Sequence, residues 1–231
     1  MKKPFLHVNS LPEIIRLTVM MYVRYPLSLR QVEDLLFKRG IDICHETVRF
    51  WWNRFGPMFA AEIRKRRVVH HSYSNWGGQL DEVFVRINGE THYSWRAIDH
   101  EGEVLEVFVT KRWDRKAALQ FLKRAMKQHG QPKVLVTDWL RPYRAAMNVI
   151  GNGTDQEGGR WLNNQAQNSR QPFRQREGVM PNFRDIKTQQ KFSAVHASIH
   201  NHFNLEGHLN RRETFKENRT AALAEWPQLA A

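Results

Sequence analysis

The chain has 231 residues, and its 41% hydrophobic and 26% charged side chains are typical of a globular protein with one large domain or two smaller ones. Lys and Arg number 36 against 23 Asp and Glu, and this formal net charge of +13 favours a polyanionic partner. The single cysteine, Cys44, excludes an intrachain disulfide and a cysteine-based zinc site, and it suits the reducing cytoplasm.

The first apolar stretch runs from Leu11 to Val23 and is interrupted by Glu13, Arg16 and Thr18. It is too short for a membrane span, which needs about 20 apolar residues. The residues before it do not resemble a signal peptide. We therefore expect a soluble helix here and no contact with a membrane.

Two short helices are predicted next. Ser28 and Gln31 have the spacing of a capping box, which indicates a helix from about Leu29 to Arg39. After a short turn, an apolar repeat beginning at Val48 predicts a second helix that ends at Gly56. Two helices with a tight link are typical of a helix-turn-helix.

In a helix-turn-helix the second helix enters the major groove, and its outward side chains meet the bases. The outward side chains predicted here are suited to bases and phosphates: His45, Glu46, Arg49, Asn53 and Arg54. An ordinary polar helix face is the alternative interpretation. The basic segment that follows favours DNA binding.

That segment, RKRRVVHH, spans residues 64–71. We interpret it as a linker whose Arg64, Lys65, Arg66 and Arg67 contact phosphates irrespective of sequence, or alternatively as a solvated tether. Both interpretations predict a domain boundary between about Gly56 and Trp76. The predicted domains are therefore residues 1–70 and residues 71–231.

The second domain begins with alternating strand patterns. The pattern from Gln79 reaches Asn88-Gly89, a strong hairpin signal, and two further strand patterns follow. Asp114 and Gly130 delimit a helix, and the apolar segment KVLVTD then predicts a buried strand. This order indicates an α/β sheet with helices on both sides. The segment at 151–160 is expected to be a flexible loop.

Two aspartates are candidates for metal binding. Asp81 lies on the first strand, and Asp138 lies at the carboxyl end of the buried strand, where ligands gather in such sheets. Two carboxylates brought together repel each other unless a cation lies between them, and Mg²⁺ favours oxygen ligands. The alternative is that each aspartate only caps a turn or helix.

Four segments of the chain match a known pattern when they are taken together. They are SLRQVEDLLFKRGIDICHETVRFWWNRFG, QLDEVFVRINGETHYSWRAIDHEG, VTDWLRPYRAAM and LNNQAQNSRQPFRQRE. In this order they resemble the insertion sequence six family of bacterial DDE transposases. The resemblance implies an N-terminal helix-turn-helix domain, an RNase H-like mixed-sheet domain, and dependence on Mg²⁺ or Mn²⁺.

The resemblance also implies a function and partners. It implies recognition of terminal inverted repeats in double-stranded DNA, followed by cleavage and strand transfer into target DNA. It implies a homo-oligomer on DNA, in the bacterial cytoplasm and at the nucleoid when bound. Asp81 and Asp138 match the family's first two catalytic residues and its metal ligands.

The third catalytic position departs from the family. Gln167 stands where the family has a glutamate, although the basic residue seven positions later is present as Arg174. Arg170 stands where the family usually has histidine. We expect Asn163–Met180 to be a polar, basic helix, and Arg170 and Arg174 to contact DNA. Glu177 is ten residues from Gln167, about 15 Å along a helix, so we do not expect it to substitute.

The histidines near residue 200 and the tryptophans each have a functional interpretation and a structural one. His196, His200 and His202 lie within HASIHNHF without a nearby carboxylate, and we interpret them as a polar helix face near DNA rather than a metal site. Most tryptophans are expected in the core, although an exposed one can stack on a DNA base. Trp139, beside Asp138, is the first candidate for such stacking.

Three functions are open from the sequence. The first is a transposase that is impaired because Gln167 replaces the third carboxylate. The second is an inactive, transposase-derived DNA-binding protein with the same fold. The third is a transcription regulator that uses only the first domain, which would have no need of paired aspartates at strand ends.

Overall fold

The computed structural model describes residues 5, 8–70, 78–99, 102–132, 134–137, 141–151, 156–158, 170–179, 183–204 and 211–229, and of 67–70, 141 and 156–158 the backbone alone. Its first part is helical, with α1 at Pro12–Arg24, α2 at Leu29–Phe37 and α3 at His45–His70. None of the helices in these ranges has the length and apolar character needed to cross a membrane.

Helix α2 begins as its sequence predicts. The Ser28 hydroxyl accepts from the Gln31 backbone N–H at 3.2 Å, and the Gln31 side chain accepts from the Ser28 backbone N–H at 2.7 Å. This reciprocal pair satisfies two N–H groups that the helix leaves without a partner. The predicted capping box is therefore confirmed, and α2 ends two residues before the predicted Arg39.

Helix α3 does not end at Gly56, and that prediction is wrong. A Cβ at Gly56 would lie 3.4 Å from Val195 Cγ1, so the glycine allows close packing rather than ending the helix. Pro57 follows and has no N–H for the carbonyl of Asn53, four residues earlier. Lys191 supplies the missing donor, because its Nζ lies 2.7 Å from that carbonyl oxygen.

The basic segment after Ile63 continues the same helix, and its role as a linker between domains stays a prediction. Residues 64–70 belong to α3. Arg64 donates from Nη1 to the Ser198 hydroxyl at 2.8 Å, and Arg66 donates to Glu62 one turn away at 3.1 Å. Contact of this segment with phosphates stays a prediction.

A five-stranded mixed sheet follows. Its strands are β1 at Gly78–Ile87, β2 at Glu90–Ile98, β3 at Val104–Thr110, β4 at Leu135–Thr137 and β5 at Gln156–Gly158. They lie in the order β3-β2-β1-β4-β5, with the first three antiparallel and with β4 and β5 parallel to β1. This confirms the RNase H-like mixed sheet. Strand β5 lies within the segment expected to be a flexible loop.

Local signals set the sheet's first hairpin and helix. Asn88 and Gly89 have φ values of 50° and 81°, which the two-residue turn between β1 and β2 requires. Asp114 accepts from the Ala117 N–H at 2.8 Å and caps α4, which runs Arg115–His129 and ends at Gly130. The predicted hairpin and helix boundaries are confirmed.

The later helices are α5 at Arg141–Ile150, α6 at Arg170–Val179, α7 at Ile186–Phe203 and α8 at Arg212–Glu225, followed by a 3-10 turn at Trp226–Gln228. One face of the sheet packs on α4 and α5 through Leu80, Trp95 and Phe121. The other face shares a core with α1, α3 and α7, which includes Val83 and Phe192. Residues on both sides of the predicted 70/71 boundary thus share one core.

Strand β3 lies at the edge of the sheet and is bonded by side chains of α7. Asn201 accepts from the Val104 N–H at 3.2 Å and donates to the Val104 carbonyl at 2.8 Å. Gln190 accepts from the Val109 N–H at 2.7 Å and donates to the Val107 carbonyl at 2.6 Å. Two amide side chains of α7 therefore make hydrogen bonds to β3 that a neighbouring strand would otherwise make.

Candidate functional site

Asp81 is buried in the middle of the sheet. It lies on β1 directly opposite Arg96 of β2, and its side chain is 0% exposed. Neighbouring side chains on a strand point to opposite faces. Leu80 accordingly packs on the α4 side, and Asp81 faces the side covered by α6 and α7.

Arg170 of α6 binds the carboxylate of Asp81. Its Nε lies 2.8 Å from both Oδ1 and Oδ2, and its Nη2 also donates to Oδ1. The side chain of Arg170 is 33% exposed, so the ion pair lies at the boundary between the core and solvent. Contact of Arg170 with DNA stays a prediction.

Arg96 adds a second positive charge at the same carboxylate. Its Nη1 lies 3.8 Å from Asp81 Oδ2, beyond the length of a hydrogen bond. Burial lowers the pKa of Arg96 to about 10, although the charge of Asp81 opposes this. One buried carboxylate therefore lies between two guanidinium groups.

Helix α6 presents Arg170, Phe173 and Arg176 inward at spacings of three residues. Arg174 and Glu177 lie beside this face and pair with each other at 3.1 Å. Burial raises the pKa of Glu177, and the charge of Arg174 opposes that shift. The described contact of Glu177 is therefore with Arg174 and not with Asp81.

The other two predicted catalytic residues, Asp138 and Gln167, lie outside the described residues. Strand β4 ends at Thr137 and pairs in parallel with β1, with Val136 opposite Gln79. Asp138 follows Thr137 directly in sequence. Its role as a metal ligand, and that of Gln167 as the third site residue, stay predictions.

A small cavity lies next to Arg96 and is lined by two of the three histidines of α7. Its lining includes Ser94, Arg96, Ser193, His196 and His200. His196 is 5% exposed, and burial lowers its pKa well below the usual 6.5. Burial, with the charges of Arg96 and Arg24, lowers the pKa of His200 to about 4.

The prediction that these histidines form a polar helix face is therefore wrong for His196, which is buried, while His200 is part-buried and lines the cavity. His202 is part-buried, and its Nε2 lies 3.1 Å from the Ala222 carbonyl oxygen. No cluster of three or more His, Cys, Asp or Glu residues suited to a metal occurs among the described residues.

The predicted DNA-contacting face of α3 is partly engaged within the protein. His45 Nδ1 lies 2.9 Å from Glu33 Oε2, and Arg49 pairs with Glu46 at 2.8 Å. Asn53 accepts from Lys191 through both its backbone and side-chain oxygens. The Arg54 guanidinium lies over two phenylalanine rings, and Lys65 is exposed. The side chain of Arg67 is outside the described set.

Most of the described tryptophans follow the predicted preference for the core. Trp51, Trp52 and Trp95 are at most 4% exposed. Trp113 is 39% exposed and stacks on Tyr93 with ring centroids 6.4 Å apart. Trp139, the first candidate for base stacking, lies outside the described residues.

Comparison with known proteins places this chain in a family. A family model of the DDE domain of IS240 transposases matches residues 75–206, more than half of the chain. The match includes Asp81, Asp138 and Gln167. The chain belongs to the IS6 family of DDE transposases.

Curated relatives agree with this assignment. The transposase for insertion sequence-like element IS431mec of Staphylococcus aureus and the transposase for IS257 in transposon Tn4003 of the same species are each 33% identical over 135 residues. The alignment covers 58% of this chain and 58% of each transposase, less than two thirds of their length. An uncharacterized protein of Yersinia pseudotuberculosis, pYV0051, is 38% identical over 86 residues, which are 36% of this chain and 78% of that protein.

One solved structure is also similar. The simian T-cell lymphotropic virus intasome in complex with PP2A regulatory subunit B56 gamma, determined by cryo-electron microscopy, superposes with a TM-score of 0.39 and 15% identity. The superposition covers 53% of this chain and 47% of that chain.

DDE transposases use a divalent metal ion, and the described part of the predicted site does not fit one as it is arranged. A divalent cation requires free carboxylate oxygens at about 2.0–2.6 Å. Both oxygens of Asp81 accept from Arg170, and Arg96 adds a second positive charge. The site in this arrangement holds a guanidinium.

Sequence reasoning missed Arg96 and the partner of Arg170. Because β1 and β2 are joined by a two-residue hairpin, their register pairs Asp81 with Arg96, and counting back from the turn identifies that neighbour. No comparable local signal exists for Arg170. It is 89 residues from Asp81 in sequence and is one of 36 basic residues.

Proposed function

We propose that this protein recognises the terminal inverted repeats of an insertion sequence, and that its metal-dependent cleavage and strand transfer of DNA are impaired. Membership of the IS6 transposase family supports the first part, together with the net charge of +13. The second part rests on one sequence observation. An amide, Gln167, stands where the family has its third catalytic carboxylate.

An amide keeps the size of the carboxylate and one carbonyl oxygen, but it loses the negative charge that attracts a cation. Changes near metal ligands reduce metal affinity or activity by about 10 to 100-fold, and a change of a ligand itself should reduce them at least as much. In this proposal Asp81 and Asp138 remain as metal ligands, and Mg²⁺ or Mn²⁺ is the expected ion.

DNA recognition is assigned to α2 and α3. Arg49, Asn53 and Arg54 are proposed to meet the bases, with His45 at the start of the same helix. Lys65, Arg66 and Arg67, with Arg64, are proposed to contact phosphates further along α3. The helical geometry supports this, since one continuous helix carries both groups. Residues 1–70 would form the DNA-reading unit and residues 71–231 the transposase domain.

We further propose that the protein acts as a homo-oligomer on double-stranded DNA in the bacterial cytoplasm, at the nucleoid when it is bound. The expected partners are the element's terminal inverted repeats and a target DNA. Mass photometry of the protein with and without a duplex carrying the repeat tests the assembly. A monomer on DNA at every protein concentration would contradict it.

A strand-transfer assay with Mg²⁺ and with Mn²⁺ tests the impairment. We expect Gln167→Glu to raise product formation about 10-fold or more, and Asp81→Asn to abolish it in both backgrounds. Gln171→Glu is the matched control, because it adds the same charge at an exposed position of α6. Equal activity of the parent protein and Gln167→Glu would contradict impairment.

The second candidate function is an inactive DNA-binding protein derived from a transposase. The ion pair between Arg170 and Asp81 favours it, since that pair occupies the first catalytic carboxylate. Both candidate functions require DNA binding, so a DNA-binding measurement tests whether the protein has either of them. We expect Arg49→Ala to reduce preference for the inverted repeat, and Lys65→Ala to weaken binding to all sequences and reduce the salt dependence by about one ion.

A further inference from the structure

We propose that Arg170 is a built-in cation that occupies the place of the divalent metal ion at Asp81. Three contacts join the two side chains, and they use both carboxylate oxygens. A guanidinium held against both oxygens of one carboxylate is the strongest geometry available to such a pair. Arg170 therefore restrains Asp81 as well as neutralising it.

The burial of Asp81 explains why a cation is needed there. Its side chain is 0% exposed, and an isolated buried carboxylate is strongly unfavourable. Arg96 is close but is not within hydrogen-bond distance, at 3.8 Å. Arg170 supplies the hydrogen bonds that Arg96 does not, so the charged carboxylate is tolerated in the folded protein without a metal ion.

The same contacts oppose metal binding. A divalent cation must take carboxylate oxygens that Arg170 already holds, and it must approach two guanidinium groups. The apparent affinity for the metal ion equals the intrinsic affinity multiplied by the fraction of molecules in which the pair is open. Arg170 thus competes with the metal ion for Asp81 within the same molecule, independently of the protein concentration.

This inference rests on the proposed function, because it concerns the metal site of that function. The two departures from the family pattern lie three positions apart, at Gln167 and Arg170. Replacing a glutamate by glutamine removes one negative charge, and replacing a neutral histidine by arginine adds one positive charge. Both changes lower the attraction for a metal ion, and only the second supplies a substitute for it.

Mn²⁺ binding, measured by calorimetry and by the electron paramagnetic resonance of free Mn²⁺, tests the proposal without any assay of activity. We expect Arg170→Gln to bind Mn²⁺ more tightly than the parent protein by on the order of 10 to 100-fold. Arg174→Gln is the matched control, since it removes the same charge one turn later from a residue paired with Glu177. It should change the affinity by less than about 3-fold.

Thermal unfolding gives a second measurement. Arg170→Gln should lower the Tm in the absence of metal, because Asp81 loses its hydrogen bonds, and saturating Mn²⁺ should restore it. The parent protein's Tm should respond less to the same Mn²⁺ concentrations, because its affinity for the ion is lower. If Arg170→Gln does not fold, Arg170→Lys keeps the charge but loses the two-oxygen geometry, and it should show a smaller gain in affinity.

Equal Mn²⁺ affinity in the parent and the Arg170 variants would overturn the proposal, as would an equal gain in Arg174→Gln. The proposed function fails on a different measurement. If the protein does not prefer a duplex carrying the inverted repeat, the function is wrong, whatever the Mn²⁺ affinities of the variants are.

Discussion

The guanidinium of Arg176 joins α6 to α1. Its Nε donates to the backbone carbonyl of Tyr22 at 2.7 Å, and its Cζ lies 4.2 Å from the centre of the Tyr22 ring. Arg176 is 1% exposed and lies six residues after Arg170 on the same helix. Helix α6, whose Arg170 binds Asp81, is thus anchored on α1, the first helix of the chain.

Arg176→Ala should lower the free energy of unfolding by about 3 kcal/mol, because it leaves a cavity and an unpaired carbonyl. Arg176→Met keeps most of the volume and removes a buried charge, so it should cost about 1 kcal/mol or less. Urea denaturation followed by circular dichroism measures both. An Arg176→Ala protein as stable as its parent would contradict the anchoring role.

The bond from Lys191 to the Asn53 carbonyl should matter because Pro57 lies in α3. Lys191→Met removes the donor to the Asn53 carbonyl and should cost about 1–2 kcal/mol. In a Pro57→Ala background the new N–H can bond that carbonyl, so the same change should cost less. A double-mutant cycle by urea denaturation measures the coupling, and a coupling energy of zero would show that Lys191 does not compensate for the proline.

Stability should fall in mild acid because of His200. Its folded pKa of about 4 lies below the usual 6.5, so between these values the unfolded chain binds more protons. The free energy of unfolding is therefore greatest above pH 6.5 and falls as the pH decreases toward 4. The contribution of one such histidine has a slope of up to about 1.4 kcal/mol per pH unit.

Chemical denaturation at pH 5.0, 5.5, 6.0 and 6.5 checks this. His200→Gln should reduce the slope, since it removes the titrating group from the cavity. A parent protein whose stability is constant over this range would show that His200 is not held neutral by burial.

Two glycines should respond to alanine with opposite signs. Gly89 has a φ of 81°, so Gly89→Ala should destabilise the hairpin by about 1 kcal/mol or more. Gly178 lies in α6 with open space around its Cα, so Gly178→Ala should stabilise the protein by up to about 1 kcal/mol. Thermal unfolding gives both values. A higher stability of Gly89→Ala would contradict the assigned turn, and a lower stability of Gly178→Ala would contradict the open helical position.

The amide side chains of α7 that bond the backbone of β3 should contribute strongly to the free energy of unfolding. Asn201→Ala leaves the N–H and the carbonyl of Val104 buried without their partner, which should cost about 2–4 kcal/mol. Gln120→Ala, on the exposed side of α4, should change stability by less than about 0.5 kcal/mol. Hydrogen exchange at Val104 should accelerate in the first variant alone. Unchanged exchange would show that the bond to Asn201 does not protect the strand.

Signals that act over a few residues could be predicted from the sequence. Three of these signals depend only on residues a few positions away in sequence. They are the capping box of Ser28 and Gln31, the turn at Asn88-Gly89 and the helix cap at Asp114. No distant part of the chain is needed to interpret them. The helix starts and the hairpin could therefore be identified before the fold was known.

Predictions failed where a distant residue altered a local rule. Gly56 and Pro57 normally end a helix, but Val195 requires a small neighbour and Lys191 replaces the lost hydrogen bond. His196 is polar, yet α7 turns it into the interior. The pairing of Arg170 with Asp81 is of the same kind, because only the tertiary fold selects one partner among many basic side chains.

The amides of Asn201 and Gln190 also restrict how copies of this protein can assemble. The free edge of a sheet is a common place for a strand of another molecule to add. On β3 the hydrogen bonds that such a strand would make at Val104 and Val109 are already made by α7. In the proposed homo-oligomer, the copies should therefore meet through surfaces other than the β3 edge, which α7 of the same copy already covers.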